Sequence, residues 1–468
     1  MQNNKKTDLQ KLEKDLSYKR ENAWNKFGEK THKTIFKFSE EYKEFLKISK
    51  TERTASQNII KILEKSGFKN ISNSKKINEG DKLYKQIKSK TVIAFVVGKN
   101  KKELRIVGSH LDSPRLDLKP FPISEESGIA AIKTHYYGGI KKYHWVNHPM
   151  ELHGIIYTKD GKKIDIEIGS KDDDPKFIIS DLLPHLAKKQ MEKTPKDVVE
   201  GEELKLIAGN MPVEDDNVKE KVKLMLLKIL YEDYKIKEED FCFAELEAVP
   251  AVKPMDIGLD RSMIAAYGHD DKVCAYTSLR ALLEIKNPNY TAVSFFADKE
   301  EIGSVGNTGA DSMILNNFAH DYVRLTGEDI FPATLLENSK SISADVTAGV
   351  NPNHPGVHDL QNASFIGSGV SVEKYGGSGG KYSSNDSHAE YLSFIRNILE
   401  TKKIPWQSGE LGKVDMGGGG TIAMFMSKFG MDCIDIGPCV LGMHSPSEVV
   451  SKADIYAAYR LYKEFFEY

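Results

Sequence analysis

At 468 residues, with 40% hydrophobic side chains, the chain exceeds what one hydrophobic core usually supports and carries enough apolar mass to bury two. Its 66 basic residues balance 68 acidic ones, and a net charge of -2 leaves no excess to neutralise a nucleic-acid backbone or to hold an anionic membrane. No run approaches the roughly 20 apolar residues of a membrane span, and the polar stretch from Met1 to Lys6 lacks a signal peptide's apolar segment, so a cytoplasmic location is expected.

The first 70 residues set apolar side chains such as Ile35, Phe38, Phe45, Leu46, Ile59 and Leu63 at helical spacing, which predicts a helical opening with a solvated basic face. Around 90–99, and again at 103–108, the sequence turns β-branched and predicts sheet strands that deliver His110 to a sheet edge. From about 120 to 255 the texture changes to Gly138-Gly139, a hairpin-like run at 155–168 and a charged helical stretch at 218–234. None of the candidate metal residues lies inside it, and Pro120 and Pro254 stand near its ends. The pattern predicts one catalytic domain in two segments, 1–119 and 256–468, split by an inserted domain over 120–255.

After 255, helical stretches such as 272–283 alternate with strand-like runs at 292–297 and 433–436, which predicts an α/β layered sheet with its site beyond the carboxyl ends of the strands. The glycine-rich segments Gly376–Gly380 and Gly417–Gly420 read as loops. Cys242, Cys274, Cys433 and Cys439 form no Cys-x-x-Cys pair and are too sparse for a disulfide framework, so they read as reduced core residues.

The residues that carry chemistry are His110 with Asp112, Asp270 with Asp271, Glu300 with Glu301, Asp345, and His444. Two divalent ions about 3.5–4 Å apart need a carboxylate to bridge them, imidazole and carboxylate ligands on either side, and an open position for water. A ligating imidazole usually donates its other N–H to a carboxylate, so Asp112 is expected to orient His110. A carboxylate beside the metals can take a proton from the attacking water and pass it to the leaving amine, so one of Glu300 and Glu301 is ligand and the other base. Singly, each of these motifs is more often a surface turn, a cap or a solvated helix face. In this order and context they point to hydrolysis.

The segments Ser109–Pro114, Asp298–Ser304, Ile342–Asp345 and Gly442–Glu448 resemble the motifs of the aspartyl aminopeptidase (M18) family of dinuclear zinc aminopeptidases, in the right order over most of the chain. The resemblance implies two divalent metal ions per subunit, zinc by the mixed nitrogen and oxygen donors, with cobalt or manganese satisfying the same set. It implies His110 and Asp345 on one metal, Glu301 and His444 on the other, Asp270 bridging both and Glu300 as general base. Asp271 is the alternative bridge, because Gly268–Lys272 departs from the Leu-Asp-Asn common in the family.

The resemblance further implies a three-layer α/β/α zinc-exopeptidase-like catalytic domain with a mainly β inserted dimerisation domain. Dimers would assemble into a hollow homododecamer that admits peptide substrates. Two departures mark a divergent bacterial branch: Trp145–Pro149 replaces the family's Trp-Phe-Asp-Arg-Asp, and Pro184–Gln190 keeps only the first of two histidines. The missing histidine is the one expected to reach a neighbouring subunit's site, which leaves His185, Lys188 or Lys189 to compensate in binding substrate. Lys374 resembles the family lysine that meets a substrate carboxylate, and Gly418 and Gly419 lie in a glycine loop matching one near the substrate, where small residues let backbone amides approach. The expected activity is removal of N-terminal residues, acidic ones if Lys374 acts so. A two-metal carboxypeptidase or deacylase is the main alternative, and a non-catalytic shell protein of the same fold the lesser one. His354 and His358 have ligand spacing, but Pro355 and Gly356 between them predict a loop.

Overall fold

The computed structural model describes residues 7–468. A nine-stranded mixed sheet runs through its centre in the order Lys69–Asn70, Lys82–Ile87, Thr91–Val96, Tyr290–Ala297, Asn100–His110, Lys340–Ser343, Asp432–Gly437, Val370–Glu373, Trp406–Ser408. Its middle is parallel: Asn100–His110 pairs in parallel with both Tyr290–Ala297 and Lys340–Ser343, and the latter with Asp432–Gly437. Parallel strands are buried on both faces. Accordingly Val107, Ala292 and Phe296 pack into one core with Tyr42, Ile59, Leu279 and Leu461, while Ile106, Val293 and Phe295 pack into another with Phe318, Leu335 and Met426.

The helices on these faces form because their apolar residues recur at the helical period. Helix Glu29–Ile48 buries Ile35, Phe38, Tyr42, Phe45 and Leu46 along one side, and Glu52–Lys65 is opened by a capping box on Thr51. The helical opening expected from the sequence is thus present, with Asp8–Leu16 as a further short helix that buries none of its residues.

Strands from 115 to 250 pair only with one another, in a seven-stranded antiparallel sheet. Because Ala244–Pro250 pairs with Arg115–Glu126 on one side and with Pro149–Tyr157 on the other, six of these strands close into a barrel. The hairpin read at 155–168 is the pairing of Pro149–Tyr157 with Lys163–Ile168, and the helix read at 218–234 is Lys221–Tyr234. The barrel has its own cores around Trp145 and Leu206 and around Ile156 and Phe241.

A five-stranded sheet made from Met255–Ile257, Met263–Ala266, Glu448–Ser451, Cys439–Leu441 and Thr347–Ala348 lies beyond the carboxyl ends of the parallel strands. Two details differ from the sequence reading. His110 ends an interior strand, so the edge it reaches is the sheet's carboxyl end and not a lateral edge. The two glycine-rich loops are not independent: Gly377 pairs with Gly419 and Ser378 with Gly418. Gly418 has φ +123°, and an added Cβ would lie 2.3 Å from the Gly377 carbonyl oxygen, so glycine is required there by the approach of one loop to the other.

Candidate metal centre

Three neighbouring parallel strands deliver the first donors. His110 is the last residue of its strand, Glu300 and Glu301 follow Ala297 in a single 3-10 turn, and Asp345 lies two residues beyond Ser343. The turn is shaped by Lys299 at φ +66° and Gly303 at φ +96°. Asp270 and Asp271 stand at the start of helix His269–Glu284, joined by a cis peptide and outside helical geometry. His444, at φ +64°, comes from the turn before Glu448–Ser451.

One carboxylate lies between the two imidazoles. Asp270 Oδ1 is 3.1 Å from His110 Nε2, and Asp270 Oδ2 is 3.3 Å from His444 Nε2. On the His110 side Asp345 Oδ1 approaches Nε2 at 3.7 Å, and on the His444 side Glu301 Oε2 approaches Nε2 at 3.4 Å. Glu300 Oε2 lies 3.8 Å from His110 Nε2. His110, Asp271 and Asp345 also bring ligand atoms within 4.8 Å of one another, as do His110, Asp270 and Glu301, but Asp271 Oδ2 accepts the His110 backbone N–H at 3.2 Å.

Two further buried carboxylates hold this cluster together. Asp112 faces His110 Nδ1 with its carbonyl oxygen at 3.0 Å and its Oδ1 at 3.3 Å, which turns Nε2 toward Asp270. The same side chain accepts the backbone N–H groups of Glu300 and Glu301, each at 3.1 Å, and the Tyr137 hydroxyl at 2.9 Å. Glu448 accepts the backbone N–H of Asp270 at 3.0 Å and that of His444 at 2.8 Å. Sequence reasoning missed the role of Glu448, although it closes the quoted segment Gly442–Glu448. The register Ala266↔Glu448 explains its reach, since Ala266 directly precedes the loop that carries Asp270.

The donor set fits a pair of divalent cations. Burial pushes the Glu300 carboxyl up to about 8, with Asp345, Asp112 and Asp270 adding to the rise against His110. Burial and then Asp270 push Glu301 well above its ordinary range, burial raises Asp345, and Glu301 Oε1 is buried without a hydrogen-bond partner. Carboxylates crowded in this way favour either protons or cations.

The sign of the pH dependence follows. Groups whose folded pKa lies above the unfolded value bind more protons when folded, so their contribution falls as pH rises from the ordinary 4.5 of Glu300 to about 8. His444, raised to about 10 by Asp270 and Glu301 against burial, acts in the same direction above its ordinary 6.5. The chelator-treated protein is therefore expected to melt at lower temperature at about pH 8 than at about pH 5.5, and zinc to restore more at the higher pH. Thermal unfolding in matched buffers checks this; a zinc-induced shift equal at both pH values would contradict it.

A cavity of about 980 Å³ opens over the cluster, lined by Asp270, Glu300, Glu301, Asp345 and His444 together with Gly139, Gly418 and Gly419. Lys374 and His185 do not line it; both are exposed. The lysines on its wall are Lys381 and Lys413. His354 and His358 flank a 3-10 turn at Pro355–Val357, as the proline between them predicts, and neither belongs to a metal-type cluster among the described residues.

A family model described as Aminopeptidase I zinc metalloprotease (M18) matches residues 45–466. A Clostridium acetobutylicum protein described as a probable M18 family aminopeptidase 1 is 45% identical over 459 residues, covering 96% of this chain and 99% of that one. A crystal structure of an M18-family aminopeptidase from Thermotoga maritima superposes with a TM-score of 0.92 at 46% identity, over 96% of this chain and 100% of the other. The S. cerevisiae mApe1 dodecamer shares the fold, with a TM-score of 0.71 at 20% identity over 92% of this chain and 96% of its own.

Proposed function

Because this chain belongs to the M18 family of metallo-aminopeptidases, we propose that it removes N-terminal residues from peptides at the His110–Asp270–His444 cluster, with Glu300 as general base. The observation that carries this reading is the Asp270 carboxylate, whose two oxygens face two different imidazoles at 3.1 and 3.3 Å. His110, Asp345 and Asp270 would hold one ion, and Glu301, His444 and Asp270 the other. Ions held there supply Lewis acidity to the scissile carbonyl and to the attacking water, and zinc suits the donors.

The side chains divide the remaining work. Glu300 is the carboxylate of the cluster not needed as a ligand, and it lines the cavity where a peptide enters. It takes the proton from the attacking water and delivers it to the departing amine. Asp112 fixes the His110 ring and, through two backbone N–H groups, the turn that presents Glu300 and Glu301. Glu448 ties the Asp270 and His444 backbones to each other.

The central sheet with helices on both faces supports a three-layer zinc-exopeptidase-like catalytic domain, and the barrel between 115 and 250 supports an inserted assembly domain. Leu182, Leu183, Leu186 and Met191, all at least half exposed around His185, support a contact between subunits. A dodecamer built from dimers is the assembly we assign; mApe1 is described as a dodecamer. Four free cysteines fit a reducing cytoplasm, and no helix among the described residues is long and apolar enough to cross a membrane. The preference for acidic residues suggested by Lys374 gains no support from the cavity, which that lysine does not line.

The test is hydrolysis of a panel of aminoacyl chromogenic substrates by zinc-loaded protein, beside their N-acetylated counterparts. Turnover confined to free-amine substrates is expected, and the panel then ranks the side chains accepted. Comparable turnover of acetylated substrates would replace the aminopeptidase reading with the deacylase one.

A further inference from the structure

The turn that leaves barrel strand Ile129–Tyr137 touches the supports of both candidate metal-binding imidazoles. Tyr137 is 9% exposed, and its hydroxyl donates to Asp112 Oδ2 at 2.9 Å. Asp112 in turn holds His110 Nδ1. Two residues on, the Gly139 carbonyl oxygen accepts from His444 Nδ1 at 2.7 Å, which leaves His444 Nε2 free to face Asp270 and Glu301. Between them Gly138 has φ +79°, and an added Cβ would lie 3.4 Å from Glu301 Oε2 and from Pro114 Cγ. The ring of Tyr137 is itself fixed: Arg115, its cross-strand partner, lies 3.8 Å from the ring centroid and is paired with Glu52 and Glu247.

We infer that the barrel segment Tyr137–Gly139 completes the outer shell of both metal sites, with Tyr137 a positioning residue acting through Asp112 and the Gly139 carbonyl fixing the His444 tautomer. The central sheet, the helix start at Asp270 and the turn at His444 supply the donors, and the barrel aims them. Outer-shell partners of this kind set ring orientation and ligand basicity, and losing one typically weakens metal binding about 10–100-fold. A displacement of the barrel would then be felt at both imidazoles at once. The inference rests on the reading of His110 and His444 as ligands of two ions.

The experiment is zinc titration of the full-length protein against a chromogenic chelator, with the unfolding temperature of each metal-free form measured alongside. Wild type is expected to bind two ions per chain. Tyr137→Phe, which deletes only the hydroxyl, is expected to weaken binding about tenfold or more. Tyr136→Phe, whose side chain is 42% exposed, keeps wild-type affinity. Gly138→Ala, which puts a Cβ at positive φ beside Glu301, is expected to weaken binding too, and it carries the test if Tyr137→Phe does not fold. Wild-type affinity within about twofold in a folded Tyr137→Phe, even with a lower unfolding temperature, would make the tyrosine a packing residue and overturn the inference. Wild type that binds fewer than two ions would instead overturn the metal reading beneath it.

Discussion

Asp270→Asn is expected to leave the protein with at most one bound metal ion and no measurable peptide turnover. The two Asp270 oxygens each face a different imidazole, and an amide offers one oxygen and an N–H that repels a cation. Losing the shared ligand therefore acts on both sites, and the effect should exceed the ~10–100-fold of an outer-shell change. The neighbouring carboxylate makes the comparison. Asp271 Oδ2 accepts the His110 backbone N–H, and asparagine, nearly the same shape as aspartate, can accept it through its amide oxygen. Asp271→Asn is expected to keep two ions and substantial activity. Metal content by elemental analysis and turnover on one substrate decide between the two aspartates; the reverse pattern would move the bridge to Asp271.

Glu300→Gln is expected to separate chemistry from metal binding. The substitution keeps the shape of the side chain and the backbone N–H donated to Asp112, but glutamine cannot take up the proton of the attacking water. General acid–base catalysis contributes about 10²–10⁴-fold, and kcat should fall by that factor while two ions remain bound and KM stays within a few-fold. Loss of zinc in this variant would make Glu300 a ligand, and unchanged kcat would assign the base elsewhere.

Much of the candidate site can be read from the sequence because each donor follows a recognisable local signal. His110 ends a β-branched run, Glu300 and Glu301 follow another, and Asp345 closes a third, so the rule that sites lie beyond the carboxyl ends of parallel strands brings them together without knowledge of the fold. The supports of those donors carry no such signal. Tyr137 reaches Asp112 only because the barrel pairs it with Arg115, and Glu448 reaches Asp270 only through the register of a separate sheet. Both are tertiary facts that residue spacing does not encode. Lys374 fails to reach the cavity for a related reason. Its carbonyl is held by the Ser387 N–H and the following glycines pair with the second glycine loop, and it is Lys381, beyond that pairing, that lines the cavity wall.

The barrel follows the same division. The change of texture after 120 and the hairpin at 155–168 are visible in the chain, but closure depends on Ala244–Pro250 returning between Arg115–Glu126 and Pro149–Tyr157, contacts across 88 to 132 residues. Long-range strand pairing of this kind is set by packing, not by local propensity.

Anomalous diffraction at the zinc edge from zinc-soaked crystals tests the central claim most directly. Two peaks per chain are predicted, one between His110 and Asp345 and the other between Glu301 and His444, both within ligand distance of the Asp270 carboxylate. A single peak, or a pair bridged by any other side chain, would contradict the dinuclear site on which the proposed aminopeptidase mechanism stands.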